Sequence, residues 1–301
     1  MPIDALVHYF VDKPLTILIP YTIGFLVLLI ASYTDIKTRE VPDWVNFGFI
    51  GAGFGINLIF SVIYWEISFI VASIIGFGIF FILACIMFYA GQWGGGDSKI
   101  LMGLGAMIGI DIFSKNFFLV WFLINALLIG ALYGILWSVF SILKNRKKFY
   151  KSFKKGLSNK KVQNTKKILL AVFIILVLLA VLVPDKFIKF TLFYLAIVLV
   201  LTFYLWVAVK AVENACMLKY VTPKQLTEGD WIAKDVKIDG KYITGPKDLG
   251  IEKKQIKKLI ALYKKRKVKK ILIKEGIPFV PSFFVAYVVT LIFGNLVFLM
   301  F

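Results

Sequence analysis

Apolar residues run through this chain in long, nearly charge-free windows, without the short alternation of a soluble fold. Windows at 14–34, 44–65, 67–96, 116–143, 168–184, 190–209 and 276–301 each approach or exceed the ~20 apolar residues that a bilayer core requires. An eighth window, 100–110, is short. Ser98–Lys99 at one end and Asp111–Ser114 at the other complete it, with the lysine snorkelling toward water.

Charge decides whether the short window crosses. With eight spans and an external N-terminus, the cytoplasmic loops are 35–43, 91–99, 144–167 and 210–275. They hold all of the 36 Lys and Arg except Lys13, Lys115, Lys186 and Lys189. Without the short span, the strongly basic 144–167 loop moves outside, against the tendency of basic loops to stay in the cytoplasm. The pattern therefore predicts a polytopic, all-α membrane bundle of about eight transmembrane helices in the cell membrane. Its divisions are an N-terminal membrane region (1–143), a basic cytoplasmic linker (144–167), two further helices (168–212), a small cytoplasmic α+β module (213–275) and a last helix (276–301). The linker is read as a segment lying on anionic lipid headgroups. In the module, Trp231–Ile238 and Lys241–Thr244 flank Asp239-Gly240, a hairpin signal. Glu252–Lys265 has helical spacing, and Val268–Ile273 alternates like a strand.

Composition narrows the function. Sixty per cent of the 301 residues are hydrophobic and the mean hydropathy is +0.84, far above a soluble chain. In such a chain the net charge of +19 marks cytoplasmic loops, so no nucleic acid partner is expected. Cys85 and Cys216 form no Cys-x-x-Cys pair and His8 is the sole histidine, which argues against zinc knuckles and histidine triads. No metal and no cofactor are expected.

Two polar stretches interrupt the apolar pattern. One is Trp93-Gly94-Gly95-Gly96-Asp97-Ser98-Lys99; the other runs from Thr34 and Asp35 to Pro42. A glycine run lets another chain approach closely, and a carboxylate beside it can reach a bound peptide backbone. The alternative is an interfacial turn ending in a helix-capping Asp. Asp35 closes the first span and Asp97 opens the fourth, so both carboxylates stand at the same, cytoplasmic boundary. Asp111 and Glu66 fall at the opposite face.

Asp35-Ile36-Lys37-Thr38-Arg39-Glu40-Val41-Pro42 resembles the Asp-x-x-x-Arg-x-Ile/Val-Pro signature of the type IV prepilin peptidase family. Gly94-Gly95-Gly96-Asp97, with Lys99 following, resembles that family's Gly-x-Gly-Asp motif. Leu226-Thr227-Glu228-Gly229-Asp230, leading to Lys274-Glu275-Gly276-Ile277-Pro278-Phe279, resembles the archaeal preflagellin-peptidase branch. The resemblance implies an aspartic membrane endopeptidase with Asp35 and Asp97 as the catalytic pair. It also implies that the enzyme removes short basic leader peptides from pilin-like or archaeal flagellin precursors, whose signal segments are the expected partners. Two close carboxylates do not readily both ionise, so one keeps a proton. Helix-end polarity and Lys99 bias that proton toward Asp35, leaving Asp97 as the base. Gly94 and Gly96 are expected to shape the site and admit the peptide backbone; Arg39 and Lys99 are read either as site residues or as boundary anchors. The Cys-x-x-Cys pairs of bacterial relatives that also methylate are absent from loop 35–43, so methylation is not expected. The 144–210 region exceeds the preflagellin-peptidase pattern and points toward pilin-like precursors. No oligomeric state is assigned.

Two other readings compete. A presenilin-like or signal-peptide-peptidase-like intramembrane protease shares Gly-x-Gly-Asp but calls for Tyr-Asp within a helix and Pro-Ala-Leu near the C-terminus. Here the first site reads Tyr33-Thr34-Asp35, and Pro278 and Pro281 stand without that triplet. A transporter would carry its acidic residues near the midplane, away from a boundary.

Overall fold

The computed structural model describes residues 14–111, 117–238 and 240–299. His8, Lys13, Lys115 and Asp239, used in the readings above, lie outside them. The described chain is mostly helical and divides into two units, one of residues 1–136 and 276–301 and one of residues 137–275.

Among the described residues, six helices are long and apolar enough to cross a bilayer: α1 (Pro14–Thr38), α2 (Asp43–Ile63), α3 (Ser68–Tyr89), α5 (Phe118–Lys144), α7 (Lys160–Leu182) and α8, whose apolar stretch runs Lys186–Met217 with α-helix over Lys186–Val212. The other two expected spans form shorter helices, α4 (Gly95–Ile108) and α10 (Val280–Phe293), of 14 residues each. At 1.5 Å per residue each is about 21 Å long, short of a ~30 Å hydrocarbon core.

The first unit is built around α4. Ile100, Leu101, Leu104 and Met107 are buried against Phe49 of α2, Phe80 of α3, and Phe283 and Tyr287 of α10. Small residues permit the close approach. A Cβ at Gly105 would strike the Gly76 backbone of α3, and one at Gly53 would strike Ala106 and Met107. Glycines at helix contacts are the usual means of tight packing where no hydrophobic force separates helix from lipid.

A helix ending inside apolar surroundings must have its last carbonyls satisfied by protein. α4 stops at Gly109, whose φ of 72° is left-handed. Asn57 of α2 donates through Nδ2 to Ala106 O (3.2 Å) and Met107 O (3.0 Å), and Ser73 Oγ donates to Ala106 O (2.5 Å). α10 repeats the device. It stops at Gly294 (φ 69°), and Asn125 of α5 donates to Gly294 O (2.7 Å) while accepting from Leu296 N (3.1 Å). Both short helices thus stop at a glycine, and a buried asparagine of a longer neighbour bonds a carbonyl at each of these ends.

In the second unit, the stretch read as a linker is ordered as helix. α6 (Arg146–Leu157) carries six of the stretch's eleven basic residues, and α7, which already begins at Lys160, carries four more. α6 lies on α8, where an added Cβ at Gly156 would touch Val207. The expected α+β module is present near the C-terminus. β1 (Leu218–Val221), β5 (Ile271–Lys274) and β2 (Trp231–Ile232) form an antiparallel sheet in the order β1-β5-β2. β3 (Val236–Ile238) and β4 (Lys241–Thr244) form a separate hairpin whose turn holds Gly240 at φ 73°. Trp231–Ile238 is therefore not one strand: it divides between two sheets, because Trp231 and Ile232 pair with Lys274 and Ile273. α9 (Lys253–Lys264) buries Leu259 in a core with Ile232, Ile243, Ile251 and Ile271.

Candidate active site

Asp35 sits in the last turn of α1, where a carboxylate would ordinarily project into water. Here it is 6% exposed. The chain turns sharply beyond it: Arg39 N donates to Asp35 O (2.9 Å) and Arg39 adopts φ 63°. That left-handed conformation ends many helices but is unfavourable for a residue with a Cβ. The turn returns Val41 to the bundle, where it is 8% exposed and its carbonyl accepts from the buried Asn46 Nδ2 (3.2 Å). Pro42 then precedes the first residue of α2.

Asp97 is the third residue of α4. Its Oδ2 accepts from Gly94 N at 2.9 Å, one half of a capping box; Gly94 has no side chain to return the bond. The capping reading of this Asp is thus realised, and one carboxylate oxygen suffices for it. Gly96 meets the other motif: a Cβ added there would lie 3.4 Å from Val41 Cβ. It faces the Asp35 loop, and its outward space is already filled. A Cβ on Gly94 would come 3.3 Å from Asp97 Oδ2 and crowd the cap.

The two motifs meet at one end of the first unit. Asp97 lies within electrostatic reach of Asp35, and the Arg39 guanidinium lies within reach of Asp35. Arg39 also donates through Nη1 to Gly276 O (3.4 Å). Lys99 is directed elsewhere. Its ammonium pairs with Asp43 Oδ1 at 2.6 Å and stands 4.9 Å from the centre of the Phe47 ring.

Three contributors had no role in the sequence reading. Asp35 Oδ2 accepts from Val280 N at 3.0 Å, and the Phe279 amide also faces this carboxylate. Trp93, directly before the glycines, is 5% exposed and packs edge-on to Phe283 with ring centres 5.3 Å apart. Tyr133 of α5 lies within electrostatic reach of both Asp35 and Arg39. The α10 amides also alter the expected helix-end asymmetry. Asp35 closes α1 but faces the N-terminus of α10, while Asp97 faces that of α4. With Lys99 paired to Asp43, the expected bias of a shared proton toward Asp35 loses both of its supports.

Among the described residues, no cluster of three or more His, Cys, Asp or Glu is placed to hold a metal ion. The arrangement offers two neighbouring carboxyl groups, each with one oxygen held by a backbone N–H. That suits general acid–base work on a polarised carbonyl and a water molecule.

Residues 22–135, which contain both motifs, match the model of the type IV leader peptidase family. Proteins named preflagellin peptidase are similar over part of their length. That of Methanocaldococcus jannaschii is 41% identical over 91 residues, 30% of this chain and 38% of the relative. Those of Methanococcus voltae and Methanococcus maripaludis are 44% identical over 91 residues and 43% over 93 residues, each match covering 30% of this chain and 39% of the relative. The chain thus spans less than two fifths of the curated relatives it matches. Residues 22–135 of this chain are thus similar to the type IV leader peptidase family, and the similarity covers less than half of the chain.

Proposed function

We propose that this chain is a membrane aspartic endopeptidase that removes short basic leader peptides from type IV pilin-like or archaeal flagellin precursors at the cytoplasmic membrane face, with Asp35 and Asp97 as the catalytic pair. The observation that carries the reading is the meeting of the two motif carboxyls, 62 positions apart in sequence, at one end of one helical unit.

The chemistry follows from two carboxyls that share one proton. The ionised carboxyl takes a proton from water as its oxygen attacks the scissile carbonyl carbon. The protonated carboxyl donates to the carbonyl oxygen. The tetrahedral intermediate then collapses: the C–N bond breaks, the carboxyl proton passes to the leaving amine, and a hydroxyl of the intermediate gives its proton back to a carboxylate as the new C=O forms. Products are one new carboxyl and one new amino terminus, and the two carboxyls again share a single proton. Arg39, near Asp35 and bonded to the Gly276 carbonyl, steadies the first motif. Gly96 brings the second motif against Val41.

Eight crossings, with α4 and α10 as short spans, support a cytoplasmic site, because that count keeps nearly all Lys and Arg on the inner side. The basic face of α6 fits anionic headgroups on that side. The test incubates membranes containing the chain with candidate pilin and flagellin precursors and sequences the new N-termini. Asp35→Asn and Asp97→Asn should each lower cleavage by about 10²–10⁴-fold or more while the chain still inserts. Substantial cleavage by either variant removes that residue from the pair. Failure to cut any precursor from either class overturns the substrate assignment.

A further inference from the structure

We propose that the first turn of α10, outside the family-matched residues 22–135, is a third element of the active site, in which the Val280 amide is the positioning group for Asp35. The inference rests on the catalytic reading of Asp35 given above.

The local sequence leaves these donors unspent. A helix begins with N–H groups that have no intrahelical acceptor. In α10 the residue before the first turn is Phe279, whose side chain cannot cap. Pro281 has no N–H, and Ser282 N already donates to Phe279 O at 2.9 Å. The amides of Phe279 and Val280 remain, and both face Asp35, 245 positions from Val280. Asp35 therefore serves as the cap of a helix that its own sequence neighbourhood does not contain.

The contact is dry and braced. Val280 is fully buried and Asp35 is 6% exposed, so the bond is little weakened by competing water. The Phe279 ring rests over Gly130 of α5, where an added Cβ would come within 2.6 Å of its Cζ. The same ring lies 5.3 Å from Phe283 and 6.4 Å from Trp93, the residue that leads into the glycine motif. Gly276 O receives the Arg39 bond. One short segment, 276–283, thus touches the first motif and the residue that leads into the second.

The consequence concerns rotation. The terminal torsion of an Asp side chain is broad and nearly two-fold, so packing alone fixes it poorly. Holding Oδ2 at the Val280 amide fixes the carboxylate plane and gives the other oxygen one direction. Asp97 is held alike through Gly94 N. For a general acid–base pair, such orientation acts on turnover more than on substrate binding.

The test uses the full-length chain in liposomes and an ester in place of the Phe279–Val280 peptide bond, which deletes the N–H and keeps the side chain. Val280→Pro deletes the same donor at the first helical position, although the helical backbone of Phe279 is disfavoured before a proline. An ester at Leu291 removes an ordinary hydrogen bond from the body of α10 and serves as the control. The ester at Val280 should lower kcat by about 10–100-fold with KM within twofold, the loss expected for a hydrogen bond to a charged group. Val280→Pro should fall in the same direction, and the Leu291 ester should leave kcat unchanged. A Val280 ester with wild-type kcat, an effect confined to KM, or an equal kcat loss in the Leu291 control would each overturn the proposal. Asp35→Asn run in parallel separates the two claims. If it cleaves normally, the catalytic reading fails; if it is inactive while the Val280 ester is not, only the positioning role fails.

Discussion

Lys99 and Asp43 are joined across 56 positions by an ion pair of 2.6 Å that also closes over the Phe47 ring. The pair ties the second turn of α4, two residues beyond Asp97, to the first residue of α2. It turns the Lys99 charge away from Asp97, which its place two residues along the chain had suggested it would serve. Both partners keep solvent contact, at 33% and 63% side-chain exposure. Exposed pairs of this kind contribute about 0–1 kcal/mol and are screened by salt.

Lys99→Gln should therefore leave leader cleavage within about threefold of the wild type, an effect no larger than that pair strength allows. The pH–activity profile should keep its shape. Cleavage rates measured across pH at low and high salt provide the check. A moved acidic limb would return Lys99 to the field of Asp97.

Asn57→Leu should destabilise the chain by about 1–3 kcal/mol, because it removes a donor from buried carbonyls at the end of α4 while keeping similar bulk. Asn125→Leu should do the same at the end of α10. Thermal unfolding in detergent measures both. Unchanged midpoints would mean that some other donor serves those carbonyls.

Outside the membrane helices, burial pushes the Asp230 carboxyl above its usual range. The Thr227 amide and side chain oppose the rise and Glu275 adds to it. The folded form thus holds this proton more tightly than the unfolded chain does. The module is favoured at acid pH, and that advantage is lost as pH rises from the ordinary Asp value of ~3.9 through the raised folded value. Asp230→Asn keeps an acceptor for Thr227 N and should remove this dependence, with neutral or improved stability near pH 7. Hydrogen exchange of the 226–232 backbone across the weakly acid range reads the difference. A pH slope that persists in the variant would assign it to another group.

Tags at Ser158 and near Lys247 should report from the cytoplasm, and one near Asp185 from outside. Labelling Ser158 from outside the cell would break the eight-crossing arrangement and the cytoplasmic placement of Asp97 with it.

The long spans were legible because each carries its own apolar run, independent of its neighbours. The two carboxyls were legible because each sits in a compact motif. What lay beyond reading was long-range service of backbone groups. Nothing near Asn57 announces that it will cap α4, and nothing near Val280 names Asp35 as its acceptor. The division of Trp231–Ile238 was hidden for a similar reason: its first two residues pair with a strand forty positions later. Lys99 stayed between two readings because it stands two positions from Asp97, and only the fold shows its pairing with Asp43.

The bond between Asp35 and Val280 also sets an order of events during synthesis. Asp35 enters the bilayer with the first helix, and its amide partner arrives 245 residues later. At ~5–20 residues per second, that interval is roughly 12–50 s. On the proposed reading, a nascent chain holds both carboxyls in place yet lacks the group that orients one of them. Translation itself then times the onset of full proteolysis, and a chain stalled before α10 cuts the surrounding precursors more slowly than the finished one.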